Sequence, residues 1–276
     1  MAHRELTAVF PHVRAAAAGM SALALAIGCV APSANPRFPE PAGEAARVLS
    51  EYSRVPRASA RPILVLGGYM DPGMASGSLT RALRSAMGPQ AEIVSVSFGD
   101  CTSMAQCRDR VMAATLSLRN ASPNCTFDVI ANSMGGLVAR YCAMSPEEVA
   151  ACGLPSPAPS VALRIHHLYT ICTPHLGARM AEGPLGSPMT RDMRPSSPFL
   201  ECLDRALPSA TYALTCFARA GDSIVGADRS APSGIEPIQF DTPPFEFAHV
   251  DAHRDPRILL VIVRSLRGEG SLPLGE

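Results

Sequence analysis

Short apolar runs alternate with longer stretches of helical period through most of the chain. Ile63-Leu64-Val65-Leu66 is fully apolar, follows Arg61-Pro62 and breaks at Gly67-Gly68-Tyr69-Met70-Asp71-Pro72-Gly73, the pattern of a buried strand running into a loop. A helix is expected over 79–87, a strand over 92–98, and a helix over 104–118 with Met104, Cys107, Val111 and Leu118 on one face. A short strand around Val129-Ile130 then leads into a helix opened by small residues. Past a polar, Pro-containing link over 145–159 come strands at 165–172, 212–218 and 235–240. A closing helix is expected over 256–267, with Asp255 as N-cap, Pro256 at its first position and Gly268 just past its end. Alternation at this spacing predicts an α/β fold with a mostly parallel sheet and right-handed crossovers, in which ligands collect at the C-terminal ends of the strands.

Two regions break the pattern. Over 178–210 Pro184, Pro188, Pro195 and Pro198 interleave with Met180, Leu185, Met189, Met193 and Phe199. So long an excursion is either a lid or wall over a site or a surface loop capped by a helix over 199–206. At the other end, residues 1–28 have the form of an export signal: Arg4 and Arg14 precede an apolar run over 15–27 that is too short to span a bilayer. Residues 29–60 read as a tether with one helical piece around 44–52, which leaves 61–276 as the main domain.

Charge excludes one class of partner. The 24 basic residues, all Arg, equal the 24 acidic ones, so no net field attracts nucleic acid. The nine cysteines of an exported chain leave one odd thiol. Cys101 with Cys107, and Cys142 with Cys152, are close enough in sequence to close short loops. No Cys-x-x-Cys pair or Cys/His cluster points to a metal site.

The segment Phe127-Asp128-Val129-Ile130-Ala131-Asn132-Ser133-Met134-Gly135-Gly136 carries the chemistry. A strand, a sharp turn at Ser133 and a helix with small residues at its start push a serine hydroxyl out at the strand's C-terminal edge, over a helix N-terminus that favours negative charge. Ala131 and Gly135 are the small neighbours such a turn needs. This resembles the nucleophile elbow, G-x-S-x-G, of the lipase and esterase branch of the α/β-hydrolases, with Ala131 in place of the first Gly. The resemblance covers about 61–267. It implies the α/β-hydrolase fold, a Ser-acid-His order and a serine hydrolase acting on lipid or other acyl esters, with no metal or organic cofactor.

A serine needs a histidine base and the base needs a carboxylate. His3 and His12 fall in the signal, and His166 and His167 precede a strand, at its wrong end. His249 lies between the last strand and last helix in a segment that resembles the one around the catalytic histidine of lipases, and is the expected base; His253, in the same loop, is its rival. His175 belongs to a Thr-Pro-His-x-Gly segment that resembles one frequent in this branch, and is expected to shape the wall beside Ser133. Among the acids between Ser133 and His249, Asp222 directly follows a strand in Gly-Asp-Ser-Ile-Val, which resembles the family's acid turn; Asp228 is the fallback. For the oxyanion, Met134 N–H is one expected donor. Leu66-Gly67-Gly68-Tyr69 resembles the lipase Val-His-Gly-x segment, with Tyr69 as the second donor, or Met70 if the loop shifts by one. Leu25-Ala26-Ile27-Gly28-Cys29 resembles a bacterial lipobox, which implies lipidation of Cys29 and an envelope, outer-membrane location; the alternative is a secretory signal cut near 31–34. Two further readings remain: a binding protein that has lost catalysis, and an acyltransferase or thioesterase.

Overall fold

A computed structural model describes residues 41–155, 161–184 and 186–270. The expected signal and Cys29 lie outside the described residues. Six strands, β1 (Ile63–Leu66), β2 (Ile93–Val96), β3 (Phe127–Asn132), β4 (Ile165–Ile171), β5 (Ala213–Arg219) and β6 (Ile238–Phe240), form one sheet in the order β2-β1-β3-β4-β5-β6. Every pairing is parallel. The helices are α1 (Ala42–Arg54), α2 (Met74–Met87), α3 (Met104–Ala114), α4 (Leu116–Ala121), α5 (Met134–Ala143), α6 (Pro146–Ala151), α7 (Pro188–Asp192), α8 (Pro198–Ala206) and α9 (Pro256–Leu266).

The period-2 alternation of β1 explains the layers. Leu64 and Leu66 face one core with Val111 of α3, Leu137 and Val138 of α5 and Leu203 of α8. Ile63 and Val65 face the other, with Leu79 and Leu83 of α2 and Ile258 and Ile262 of α9. All six residues of β3 are buried, so its near-continuous apolar run marks the middle of a two-faced sheet.

Several boundaries differ from expectation, each for a local reason. Helix α2 begins at Met74 rather than 79, because the Asp71 carboxylate accepts the N–H groups of Gly73, Met74 and Ala75 on Oδ1 at 2.7–3.1 Å and of Ser76 on Oδ2 at 3.1 Å. The stretch expected as one helix over 104–118 divides at Thr115, whose hydroxyl donates back to the Val111 carbonyl at 3.0 Å. The link after α5 holds the short α6, opened by a capping box in which Ser145 and Glu148 exchange hydrogen bonds and Pro146 takes the first turn. The helical piece expected around 44–52 is α1, which packs on α2 and α9, and Arg267 stacks 4.2 Å over the Tyr52 ring. His166 and His167 lie at the N-terminal end of β4, away from its C-terminal edge, with Asp128 and Thr215 at 2.9 Å each.

Candidate active site

Three loops converge at the C-terminal edge of the sheet. Strand β3 ends at Asn132, and Ser133 turns with φ 52° and ψ −127°, a conformation that costs a non-glycine residue on the order of 1–3 kcal/mol. The surroundings over-determine it: Ser133 N–H donates to the Ile171 carbonyl at 2.7 Å, and the Thr173 hydroxyl donates to the Ser133 carbonyl at 2.7 Å. The glycines behind it permit close packing. A Cβ on Gly135 would stand 2.4 Å from the Gly67 carbonyl oxygen, and one on Gly136 2.3 Å from the Thr173 hydroxyl oxygen.

Ser133 Oγ lies 2.9 Å from His249 Nε2, and His249 Nδ1 lies 2.8 Å from Asp222 Oδ2. The other Asp222 oxygen accepts the N–H groups of Ile224 and Val225 at 2.9 Å each, so the turn Gly221-Asp222-Ser223-Ile224-Val225 holds the carboxylate through its own backbone. Burial pushes the Asp222 pKa up, but the hydrogen bond and charge of His249 and the two backbone donors more than offset it and leave it below the ordinary value. An ionised Asp222 can only accept, so Nδ1 of His249 carries the proton and Nε2 presents a lone pair to Ser133.

The rival residues stand elsewhere. His253 is buried in a 3₁₀ turn, Ala252–Arg254, with no side-chain partner for either ring nitrogen, and burial first, then Arg254, lowers its pKa. Asp228 pairs with Arg179 at 2.7 Å on the surface. His175 is fully buried; Arg140 of α5 lies 3.0 Å from its Nδ1, and Thr170 Oγ1 3.1 Å from its Nε2. It thus ties the β4 segment to the helix that carries the elbow.

On the oxyanion side, Met134 opens α5, so its N–H belongs to the first-turn donors that lack an intrahelical partner. The loop after β1 lies against the elbow, with a Cβ on Gly68 reaching 3.2 Å from Ser133 Cβ, and Tyr69 follows at once. The Tyr69 hydroxyl lies 3.1 Å from Ser187 Oγ, which ties this loop to the 178–210 excursion. That excursion is built of a 3₁₀ turn (Arg179–Glu182), α7 and α8, and a Cβ on Gly177, at φ 94°, would collide with the Pro195 backbone nitrogen at 2.4 Å. Its buried Met189, Met193, Phe199 and Leu203 pack on the core that contains Met134 and Leu137.

Two contributors escaped sequence reasoning. Asp71 shapes the loop from Gly67 to Gly73, and it explains why Gly67 stands where the lipase segment has His: a Cβ there would sit 2.4 Å from Asp71 Oδ2. The Asp-Pro-Gly run signals a turn but not which carboxylate caps the next helix. Cys172, at φ 48°, has its sulfur within 4.8 Å of a carboxylate oxygen of Asp222, and burial first, then the Asp222 charge, pushes that thiol well above its ordinary pKa. Cys172, Asp222 and His249 bring their donor atoms within 4.8 Å of one another, and two of the three, Asp222 and His249, are engaged in the line that leads to Ser133.

No protein-family model and no curated protein sequence matches the chain. Solved structures do. The chain is similar to the lin2722 gene product of Listeria innocua (TM-score 0.51, 13% identity, 72% of this chain and 90% of that one). It also aligns with Bacillus licheniformis lipase BlEst2 in mature form (TM-score 0.48, 11% identity, 72% and 89%) and with phospholipase PlaB from Legionella pneumophila (TM-score 0.49, 12% identity, 76% and 62%). With its parallel six-stranded sheet flanked by helices and a serine on a strained turn between the central strand and a helix, the chain has the α/β-hydrolase fold.

Proposed function

We propose that the chain is a serine hydrolase of carboxylic esters. The observation that carries this reading is the continuous hydrogen-bonded line Ser133 Oγ, His249 Nε2, His249 Nδ1, Asp222 Oδ2, at 2.9 and 2.8 Å. His249 Nε2 takes the Ser133 proton as the oxygen attacks the ester carbonyl. The N–H groups of Met134 and Tyr69 hold the tetrahedral oxyanion, each such donor being worth about 10²–10³ in rate. Nε2 then gives its proton to the departing alkoxide, leaving an acyl-Ser133. Water, deprotonated by the same nitrogen, releases the carboxylic acid and restores Ser133.

The side chains bordering this site support an apolar acyl portion. Met70, next after Tyr69, Met74 at the start of α2, Met180, whose N–H donates to the Ile224 carbonyl, and Phe247 and Val250 on either side of His249 are large exposed apolar residues. Labelling with a fluorophosphonate tests the reaction class: mass analysis finds the adduct on Ser133 in the wild type, and the Ser133→Ala variant takes none. A wild-type protein that resists the probe and cleaves no p-nitrophenyl ester from acetyl to palmitoyl is instead a silent member of the fold. Export and lipidation at Cys29 complete the proposal: the wild type partitions into detergent and Cys29→Ser does not.

A further inference from the structure

The expected pairing of Cys142 with Cys152 finds no support in the surroundings of either thiol. Cys142 is fully buried on α5, in the core shared with Cys107. Cys152, at the end of α6, meets α8 at two points: Cys202 Sγ lies 3.9 Å from the Cys152 carbonyl oxygen, and Arg205 Nη1 lies 3.9 Å from the Cys152 sulfur. A third contact holds the same two segments together, because Ser209, in the 3₁₀ turn after α8, donates from its hydroxyl to Glu148 of α6. The pair is therefore set by packing, not by a chance approach of two mobile thiols.

We infer that Cys152 and Cys202 are joined by a disulfide in an oxidising environment, clamping the end of the 178–210 excursion to the turn behind the nucleophile helix. The chemistry runs by exchange with a disulfide donor such as oxidised glutathione. Cys152, half-buried with Arg205 Nη1 3.9 Å from its sulfur, is the reachable thiol and attacks the donor first. One glutathione thiol leaves, and a mixed disulfide remains on Cys152. Cys202, which burial pushes up to about 11, then attacks the Cys152 sulfur and expels the second glutathione thiol. Two protein thiols lose an electron pair and the donor becomes two thiols, so atoms and electrons balance.

The consequence reaches the site. The closed loop contains β4, the Thr173-Pro174-His175 segment and α7. Within α8, Asp204 pairs with Arg140 at 2.9 Å, and Phe199 meets the Tyr141 ring edge-on with centroids 5.5 Å apart. Fixing α8 makes the C-terminal end of the excursion a wall. Any opening is confined to the segment before Pro198.

The experiment uses the full chain, equilibrated with oxidised glutathione, denatured, alkylated without reductant and digested. Peptide mapping by mass should find Cys152 linked to Cys202, two hydrogen masses below the sum of the thiol peptides. Thermal unfolding should place the oxidised protein roughly 5–15 °C above the reduced one. That gap should persist in a Cys101→Ser/Cys107→Ser variant and close in Cys202→Ser. Alkylation of both Cys152 and Cys202 in the oxidised wild type, or a link from either to another cysteine, overturns the inference; this mapping needs no variant to fold.

Discussion

Two histidines follow parallel strands of the same sheet and end in opposite electrostatic settings. His249, after β6, has a carboxylate on one nitrogen and a serine hydroxyl on the other, and its side chain keeps 12% of its surface exposed. His175, after β4, has the Arg140 guanidinium on one nitrogen and the Thr170 hydroxyl on the other, and is fully enclosed. Burial, then the Arg140 charge, holds the His175 pKa well below its ordinary value. The contrast teaches that a base in this fold needs an anion to stabilise the imidazolium it becomes and an open face toward substrate. A histidine facing a cation in a closed core stays neutral and serves as a brace.

The largest effect should come from breaking the first histidine and sparing the second. His249→Ala should lower kcat/KM for a p-nitrophenyl ester by on the order of 10⁵–10⁶, whereas His253→Ala and His175→Asn should stay within about tenfold of wild type. Steady-state kinetics on the three variants check this, and a reversal between His249 and His253 would move the base. Next comes the carboxylate. Asp222→Asn should cost about 10⁴ in kcat with little loss of stability, because the amide can donate to Nδ1 and so favours the wrong tautomer. Activity near wild type would shift the acid to Asp228.

The brace is tested through stability. Arg140→Ala leaves the buried Nδ1 of His175 without its donor and should cost about 1–3 kcal/mol in urea unfolding. The Asp204 side chain is 38% exposed, so its half of the ion pair adds little. Unchanged unfolding midpoints would mean that the His175 cluster is not a brace.

The smallest effect is a slope. The folded pKa of His175 lies below its unfolded value of 6.5, so as pH falls through 6.5 the unfolded chain takes up a proton that the folded chain refuses. Stability therefore falls on acidification, at up to about 1.4 kcal/mol per pH unit from this residue. His167, held down to about 4 by burial, and His253 act in the same direction. Asp222 has the depressed carboxylate pattern: its contribution is present above 3.8 and is lost below that value, outside this window. Unfolding free energies between pH 7 and 5 should fall less steeply in His175→Asn than in wild type. Equal slopes would contradict an enclosed, neutral His175.

Local chemistry made much of the fold legible. The apolar run Ile63-Leu64-Val65-Leu66 needed only its composition to read as a buried strand, and Asp255-Pro256 marked the start of α9 because capping and proline geometry act within one turn. Errors arose where one side chain acts across a loop. Met74 to Ser78 carry no helical apolar pattern, and they are helical because Asp71 satisfies the first donors of α2. Cysteine spacing is a similar case: Cys152 is close to Cys142 in sequence, but Cys202 and Arg205 of α8 each approach it to 3.9 Å.

The sequence by itself determined the order of strands and helices, the turn at Ser133 and the short roster of histidines and acids, because side-chain period and turn chemistry are properties of a few consecutive residues. Only the tertiary structure decided that His249 rather than His253 meets Ser133, that Asp222 rather than Asp228 meets His249, and that Cys202 meets Cys152. Those meetings depend on strand register and on how loops from β3, β5 and β6 pack at one edge of the sheet, and no stretch of contiguous residues encodes a distance between separate strands.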